Sequence, residues 1–468
     1  MKRQTLPLVS EESLAKERQI MQEISELDRR PASYAIVTYG CQMNAHDSET
    51  LSGMLSAMGM TKASSNDQAD LIIFNTCCIR DNAERKALGN MTWLKQLKKK
   101  RPDMVLCVCG CMMQQPKMAQ IILRQYPFFD VAFGTHNLYR FPSLLLRSLE
   151  TRKQVVEVTE GDGIIAEGMP ILRESPIKAY LTVMYGCNNF CSYCIVPYVR
   201  GRERSRSIDA ILREAEALAV DGVQEIMLLG QNVNSYGNDL AGDASFALLL
   251  RRLDSLGIPR IRFMTSHPKD LSDDLISAMA ESPRVARHLH LPVQSGSDAM
   301  LSAMNRIYSR DAYLKRVQTL RQAMPDIALT TDLIVGFPGE TEQDFQDTLS
   351  LVERVRYDSA FTFIFSPRDG TRAARLPDQV EAGVSSDRIA RLIAAQERIT
   401  AEIHDGLVGS TQRVLVEEVS RRDCHQVAGK SSRSITCNLP GDASLIGQFV
   451  DVTITAAGHN TLKAAQNT

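Results

Sequence analysis

From Tyr34 to about Leu149, short apolar runs alternate with stretches of helical periodicity, the runs being Ala35 to Thr38, Leu71 to Phe74, Met104 to Val108 and Val131 to Phe133. Such alternation predicts an α/β domain built on a parallel sheet. Around Glu160 to Pro176 periodicity is lost among Gly and Glu residues, the pattern of a linker. The βα alternation resumes with strands expected at Ala179 to Met184, Glu225 to Leu229, Arg262 to Thr265, His288 to Leu291, Ala328 to Val335 and Ala360 to Phe365. Six βα units predict a partial (βα)6 barrel, an open relative of the eight-fold one. A helix with apolar positions Ile389, Leu392, Ile393, Ile399 and Ile403 then leads to Gly406 and Gly409. Beyond it, Arg413 to Val416, Ser434 to Cys437 and Phe449 to Ile454 are short strand-like runs between Gly, Pro, Asn and Asp, which predicts a small C-terminal β-barrel.

The expected organisation is a tail (1–33), an N-terminal α/β domain (34–150), a linker (151–176), the central barrel (177–405) and the C-terminal barrel (406–468). A chain of 468 residues is too long for one ordinary core, in keeping with several domains. Hydrophobic residues at 44% and charged residues at 23% are those of a globular protein, and no apolar run approaches a membrane span. The first thirty residues mix Glu, Lys and Arg with scattered Ile and Leu and lack the apolar core of a secretory signal. A cytoplasmic, monomeric enzyme is the expectation. A net charge of −1 denies the molecule a global positive field, so any nucleic-acid partner must be held by local basic patches. Eleven cysteines, an odd number, without an export signal speak against a disulfide framework and for metal binding.

Three of them, Cys187, Cys191 and Cys194, lie in one loop after the first barrel strand, at the end where barrel enzymes carry their active sites. Soft thiolates ligate iron-sulfur clusters, and three on a four-iron cube leave one iron open to an outside ligand. Zinc is the alternative; it wants a fourth ligand, and no Cys or His lies at a short spacing to supply one. A second trio, Cys41, Cys77 and Cys111, sits just past three strands of the N-terminal sheet, where parallel sheets bind ligands. These thiols are candidates for a second cluster, set against the bland reading of cysteine as a small buried hydrophobe. That bland reading suits Cys107, which lies inside a strand; Cys78 and Cys109 are ambiguous neighbours of the proposed ligands, Cys424 and Cys437 read as structural, and none of the five is expected to be a ligand.

The CxxxCxxC loop resembles that of the radical S-adenosylmethionine superfamily. With YGCQMN (Tyr39 to Asn44), NTCCIR (Asn75 to Arg80), GCM (Gly110 to Met112), LLGQNVNSYG (Leu228 to Gly237), TSHP (Thr265 to Pro268), LPVQSGSD (Leu291 to Asp298) and VGFPGET (Val335 to Thr341), nearly the whole chain resembles the methylthiotransferases, most closely those acting on isopentenyladenosine in tRNA. The resemblance implies two [4Fe-4S] clusters, one on each trio, and S-adenosylmethionine bound to the open iron of the loop cluster. The implied reaction, carried by those same motifs, is methylthiolation at C2 of N6-isopentenyladenosine at position 37 of tRNA, with a flavodoxin- or ferredoxin-type protein as electron donor. Two molecules of S-adenosylmethionine would be consumed, one for the methyl group and one for the radical. Sister enzymes act instead on threonylcarbamoyladenosine in tRNA or on an aspartate of a ribosomal protein and share both cysteine patterns. A rival of another class is a non-catalytic iron-sulfur electron carrier that binds RNA.

Gln231, Asn232, Ser266, Gln294 and Ser295 stand at expected strand ends and offer amide and hydroxyl groups to S-adenosylmethionine, with simple loop-turning as the competing role. Arg200, Arg202, Arg204 and Arg206 crowd a short run beside the cluster loop and are candidates for gripping tRNA, or a solvated surface. The C-terminal barrel resembles the TRAM domain, an RNA-binding module of the OB-like kind, although acids offset its basic residues Arg413, Arg421, Arg422, Lys430 and Arg433.

Overall fold

The computed structural model describes residues 8–78, 81–420 and 423–467. Ile79 and Arg80 of the NTCCIR string, the basic pair Arg421 and Arg422, and the first seven residues of the expected tail lie outside the described residues.

The N-terminal sheet has six parallel strands in the order Thr61–Lys62, Ser33–Thr38, Leu71–Thr76, Val105–Gly110, Val131–Phe133 and Val155–Glu157. Alternate residues of each strand feed two cores. Ile72, Phe74, Leu106 and Val108 pack with Ala87, Met91 and Ile122 on one face, whereas Leu71, Ile73, Val105 and Val131 pack with Leu51, Met54, Phe141 and Leu144 on the other. A sheet buried on both sides explains why its strands read as continuous apolar runs. Its sixth strand lies past residue 150, inside the stretch expected as linker. The tail is likewise more than a tail: Glu11–Glu26 forms a helix, capped by Ser10, that buries Leu14, Met21 and Ile24 against the domain. Those three apolar positions recur at helical spacing and need a partner surface.

Six parallel strands form the central barrel in two sheets, Lys178–Thr182, Glu225–Leu229 and Arg260–Phe263 in one and His288–His290, Ala328–Val335 and Ser359–Ile364 in the other. The two are joined at Ile261 and Val285. Outward-facing Leu181, Ile226, Leu228, Ile261, Leu289, Leu329 and Leu333 are fully buried under the helices, and the residues between them give the barrel a polar interior. The helix Ala382–Gly406 leads into a closed barrel of five strands, Thr411–Val419, Gln426–Ser431, Thr436–Pro440, Phe449–Ala457 and Thr461–Gln466, around Val414, Val416, Val427, Leu439, Val452 and Leu462.

This small barrel plugs the floor of the large one. Glu225 Oε2 accepts from Arg262 Nε at 2.7 Å and lies 3.5 Å from Arg260 Nη1. Arg260 donates onward to the carbonyls of Lys430 (2.7 Å) and Arg413 (3.0 Å), and Arg262 to those of Ser431 (2.6 Å) and Ser432 (3.2 Å). All three charged side chains are buried. His288, beside them, donates to or accepts from Thr330 Oγ1 at 2.9 Å. Burial, and then the charges of Arg262, His290, Lys430 and Arg433, hold its imidazole neutral well below the ordinary range.

Removing the shared carboxylate strands two buried cations, so Glu225→Gln is expected to cost about 3–5 kcal/mol. Thermal unfolding combined with limited trypsinolysis measures it, and the C-terminal barrel should be the first part released. His288 sets a pH dependence. Its folded pKa lies below the unfolded value near ~6.5, so its contribution is complete above that pH and is lost as pH falls below it, by up to about 1.4 kcal/mol per unit. Urea unfolding across pH 7 to 5 should show a flatter acid limb for His288→Gln than for the wild type.

Candidate iron-sulfur and nucleotide site

The loop carrying Cys187, Cys191 and Cys194 follows the first barrel strand and is pinned on every side. Gly186 adopts φ +74°, and a Cβ there would stand 2.0 Å from the Arg202 carbonyl oxygen, so no side chain fits. Cys187 N–H donates to Gly201 O at 3.1 Å, Ser192 N–H to Met304 O at 3.0 Å, and the Asn305 amide to the carbonyls of Asn189 and Phe190. Gln231 accepts the Gly186 N–H, so this candidate nucleotide ligand also orients the loop. Burial pushes the Cys187 and Cys194 thiols up to about 12. Arg306, 7% exposed, aims Nη1 at Cys191 Sγ from 3.5 Å and bonds Pro292 O and the Tyr308 hydroxyl. A buried guanidinium on a thiol sulfur suits a charged thiolate ligand of an iron-sulfur cluster.

Around the mouth, four non-glycine residues hold left-handed backbone, Phe190 (φ 47°), Thr265 (64°), Gln294 (72°) and Asn305 (57°). Strain of this kind is held in place by surrounding structure and collects at ligand sites. Asn232 donates to Asp270 at 2.7 Å and leaves its Oδ1 buried without a partner, as do Ser266 Oγ and His267 Nε2. His267 stays neutral, with burial and then Arg306 and Lys269 bringing its pKa to about 2. Three orphaned buried polar atoms at the mouth fit a polar ligand with several hydrogen-bonding groups. Ser295 differs. It is fully buried, its hydroxyl 3.2 Å from that of Thr348, and it fastens its loop to the Glu342–Val355 helix.

Cys41, Cys77 and Cys111 follow three adjacent strands whose ends stand in register, Thr38 opposite Asn75 and Thr76 opposite Gly110. Two glycines let the loops close: a Cβ on Gly40 would lie 2.8 Å from Cys77 Sγ, and one on Gly110 would lie 2.4 Å from Thr76 O. Asn44, fully buried, is the hub. Its Nδ2 donates to Tyr39 O (2.8 Å) and Thr76 O (3.0 Å), while Oδ1 stands 3.8 Å from both Cys41 Sγ and Cys111 Sγ and accepts from Arg200 Nη2 at 2.8 Å. The thiols thus converge on one crevice. Burial raises the Cys41 thiol, whereas a hydrogen bond from Cys78 and the charge of Arg200 lower that of Cys111 against the effect of burial. Among the described residues no three His, Cys, Asp or Glu side chains are gathered around a single point as the ligands of one ion would be. Thiolates on separate irons of a cube have no need to meet at a point.

Asn44, Arg200 and Arg306 escaped the sequence reading as thiol partners; Asn44 lies three residues past Cys41 and Arg200 six past Cys194, whereas nothing local marks Arg306. Cys78, an ambiguous neighbour of the trio in the sequence and not expected to be a ligand, touches Cys111. Cys107, Cys109 and Cys437 pack in apolar cores, and Cys424 is exposed. The arginine run requires a correction. Arg200 is paired with Asp47 at 2.6 Å, Arg206 with Glu167 at 2.5 Å and Glu214 at 2.7 Å, and Arg204 is buried on backbone carbonyls. Acids and carbonyls brought against the run by the fold turned three of the four inward. Arg202 alone is exposed, stacked 4.4 Å over Phe190.

No described helix is long and apolar enough to cross a membrane. The chain matches the family described as "Radical SAM superfamily" over residues 181–352, "Uncharacterized protein family UPF0004" over 33–134 and "TRAM domain" over 406–465. Among solved structures, the radical S-adenosylmethionine methyltransferase TsrM from Kitasatospora setae shares the fold, with a TM-score of 0.51 at 12% identity over 82% of this chain and 78% of that one. The tRNA-2-methylthio-N(6)-dimethylallyladenosine synthase of Alkaliphilus oremlandii is 52% identical, covering 97% of both chains. That of Acetivibrio thermocellus is 51% identical over 97% of this chain and 95% of its own. Identity at this level over the full length, with both cysteine trios gathered at strand ends, means that the chain belongs to the tRNA-2-methylthio-N(6)-dimethylallyladenosine synthase family of radical S-adenosylmethionine enzymes.

Proposed function

We propose that this protein methylthiolates C2 of N6-isopentenyladenosine at position 37 of tRNA, the substrate that its relatives' name carries. Cys187, Cys191 and Cys194 hold one [4Fe-4S] cluster and Cys41, Cys77 and Cys111 hold the other. The observation that carries this reading is the Arg200–Asn44 contact, which ties the cluster loop of the barrel to the hub of the second trio at 2.8 Å. When bound, the two clusters would supply the electron that cleaves S-adenosylmethionine and the anchorage of the sulfur to be transferred.

The chain's own groups do the rest. Arg306 and Arg200 supply positive charge to the thiolates, which favours their deprotonated, ligating form. Asn232, Ser266 and Gln294 hold S-adenosylmethionine at the mouth, with His267 a neutral hydrogen-bonding partner beside them, while Gln231 keeps the loop in position. Ser295 acts through the loop it fastens. Of the arginine run, Arg202 is the one retained as a tRNA contact. The electron donor is a flavodoxin- or ferredoxin-type protein, and the enzyme works in the cytoplasm as a monomer.

Anaerobically reconstituted protein should contain about eight irons per chain, and the triple variant of Cys187, Cys191 and Cys194 to Ala about four. Iron and sulfide analysis reads this directly; zinc in place of iron would remove the mechanism. Nucleoside analysis of tRNA from a deletion strain should show loss of the methylthio group from isopentenyladenosine alone. For the C-terminal barrel, truncation is a poor test, since it strands Arg260 and Arg262. Charge reversal at exposed Arg413 and Lys463 should instead weaken tRNA binding several-fold and lower its salt dependence, with 5′-deoxyadenosine release unchanged. Unaltered affinity in a filter-binding assay would take the barrel out of tRNA recognition.

A further inference from the structure

Beneath the linker, between the N-terminal domain and the first strand of the barrel, lies a cavity of about 560 Å³. That is within the ordinary size range of small-molecule sites. Arginines dominate its wall, and nearly all are matched. Arg200 has Asp47, Arg206 has Glu167 and Glu214, Arg18 has Glu11, and Arg173 has Asp221 at 3.0 Å.

Arg213, on the same wall, is exposed to solvent, and Arg204 is the buried exception. It is 5% exposed, and no carboxylate of the described residues stands within ion-pair distance. Its Nη1 donates to Arg202 O at 2.8 Å and its Nη2 to Arg200 O at 3.1 Å, so the guanidinium staples the 200–202 turn. Two carbonyl dipoles occupy two of its five N–H groups and leave the unit charge uncompensated, and Nε is buried with no partner at all. Asp162 and Asp239 act on Arg204 through space, but neither is in contact with it: Asp162 accepts the Arg202 backbone N–H at 3.0 Å, and Asp239 accepts the Ser205 N–H at 2.9 Å and its hydroxyl at 2.6 Å. His136, on the same wall, brings no negative charge. A desolvated cation without a counter-ion is among the most costly arrangements a protein interior can hold.

We propose that this cavity is an oxyanion site, in which Arg204 takes a phosphate group through Nε and its free Nη hydrogens. Such a group is borne either by free phosphate or by a nucleotide, and of the buried wall arginines Arg200 and Arg206 are held by their own acids while Arg204 is left to receive it. The site lies apart from the mouth and borders the second thiol trio through Arg200, whose Nη2 bonds both Asp47 and Asn44.

The test uses the anaerobically reconstituted full-length protein, titrated with inorganic phosphate at constant ionic strength with chloride as comparator and followed by calorimetry. One saturable site per chain is expected, with a Kd of about 1 mM or tighter. Arg204→Gln should weaken it by about tenfold or more, the effect of one charged hydrogen bond. Ala217→Phe, at the exposed rim of the cavity on the helix Ile208–Val220 and away from the 200–206 turn, should weaken binding by obstructing the space, which keeps the test valid if Arg204→Gln does not fold. Competition separates the sources: displacement of phosphate by adenosine monophosphate marks a nucleotide site, displacement by tRNA alone marks an RNA phosphate, and displacement by neither marks free phosphate. Absence of saturable phosphate binding in the wild type, or equal affinity in both variants, overturns the proposal.

Discussion

The buried amide of Asn44 is the joint on which the architecture turns. Its donor side fastens two loops of the N-terminal sheet through Tyr39 O and Thr76 O, and its acceptor oxygen faces two thiols and the guanidinium of Arg200. Arg200 belongs to the other domain, six residues past Cys194. One side chain therefore sets the spacing of the second cysteine trio and its place relative to the first. Asp47, one helical turn from Asn44, neutralises the arginine at 2.6 Å, so the charge that stabilises thiolates is itself held in the interior at tolerable cost.

Much of this was legible in the sequence. The strands of both parallel sheets announced themselves because each is apolar on the face that helices cover, and the helix around Leu392 and Ile399 kept its 3.6-residue period. The cysteine trios were legible because Cys187, Cys191 and Cys194 share one loop, whereas Cys41, Cys77 and Cys111 each come just after a strand, and neighbouring parallel strands deliver their C-terminal loops to the same edge of the sheet. The features that escaped depend on pairing across the fold. Thr61–Lys62 and Val155–Glu157 are too short to carry a pattern and exist as strands through their neighbours alone. An arginine run looks the same on paper whether it meets water or Glu167, Glu214 and Asp47, residues that no local window joins to it. Ser295 has the composition of a ligand contact and the position of a fastener.

The polar interior of the large barrel has a similar logic. Lys178, Glu225, Arg262, His288, His290 and Asp332 point into it, on the strand face opposite the apolar residues that the outer helices cover. Charges inside a barrel need partners, and near the floor those partners come from the C-terminal barrel: Lys178 meets Glu417 at 2.6 Å and the two strand arginines meet its carbonyls. An RNA-binding-type module is thereby built into the base of the catalytic domain and held by buried hydrogen bonds, an arrangement unlike that of a domain on a loose tether.

The opposite end is treated differently, and the contrast locates the chemistry. The N-terminal domain touches the barrel along both margins of its opening. On the first-strand side, Met43 Sδ lies 3.8 Å from Thr182 Oγ1 and Arg200 reaches Asn44. Past the sixth strand, Arg368 meets Glu84 at 2.9 Å and Lys117 meets Asp369 at 2.5 Å. Exposed ion pairs such as the last are weak and easily exchanged, whereas the contact at Asn44 is buried and satisfied on every atom. Both margins are thus tied, the first through Asn44 and the second through the largely buried pair of Arg368 and Glu84, with Lys117 and Asp369 an exposed addition. The two thiol sites share the first margin, where buried hydrogen bonds hold the turn at Arg200 beside Asn44.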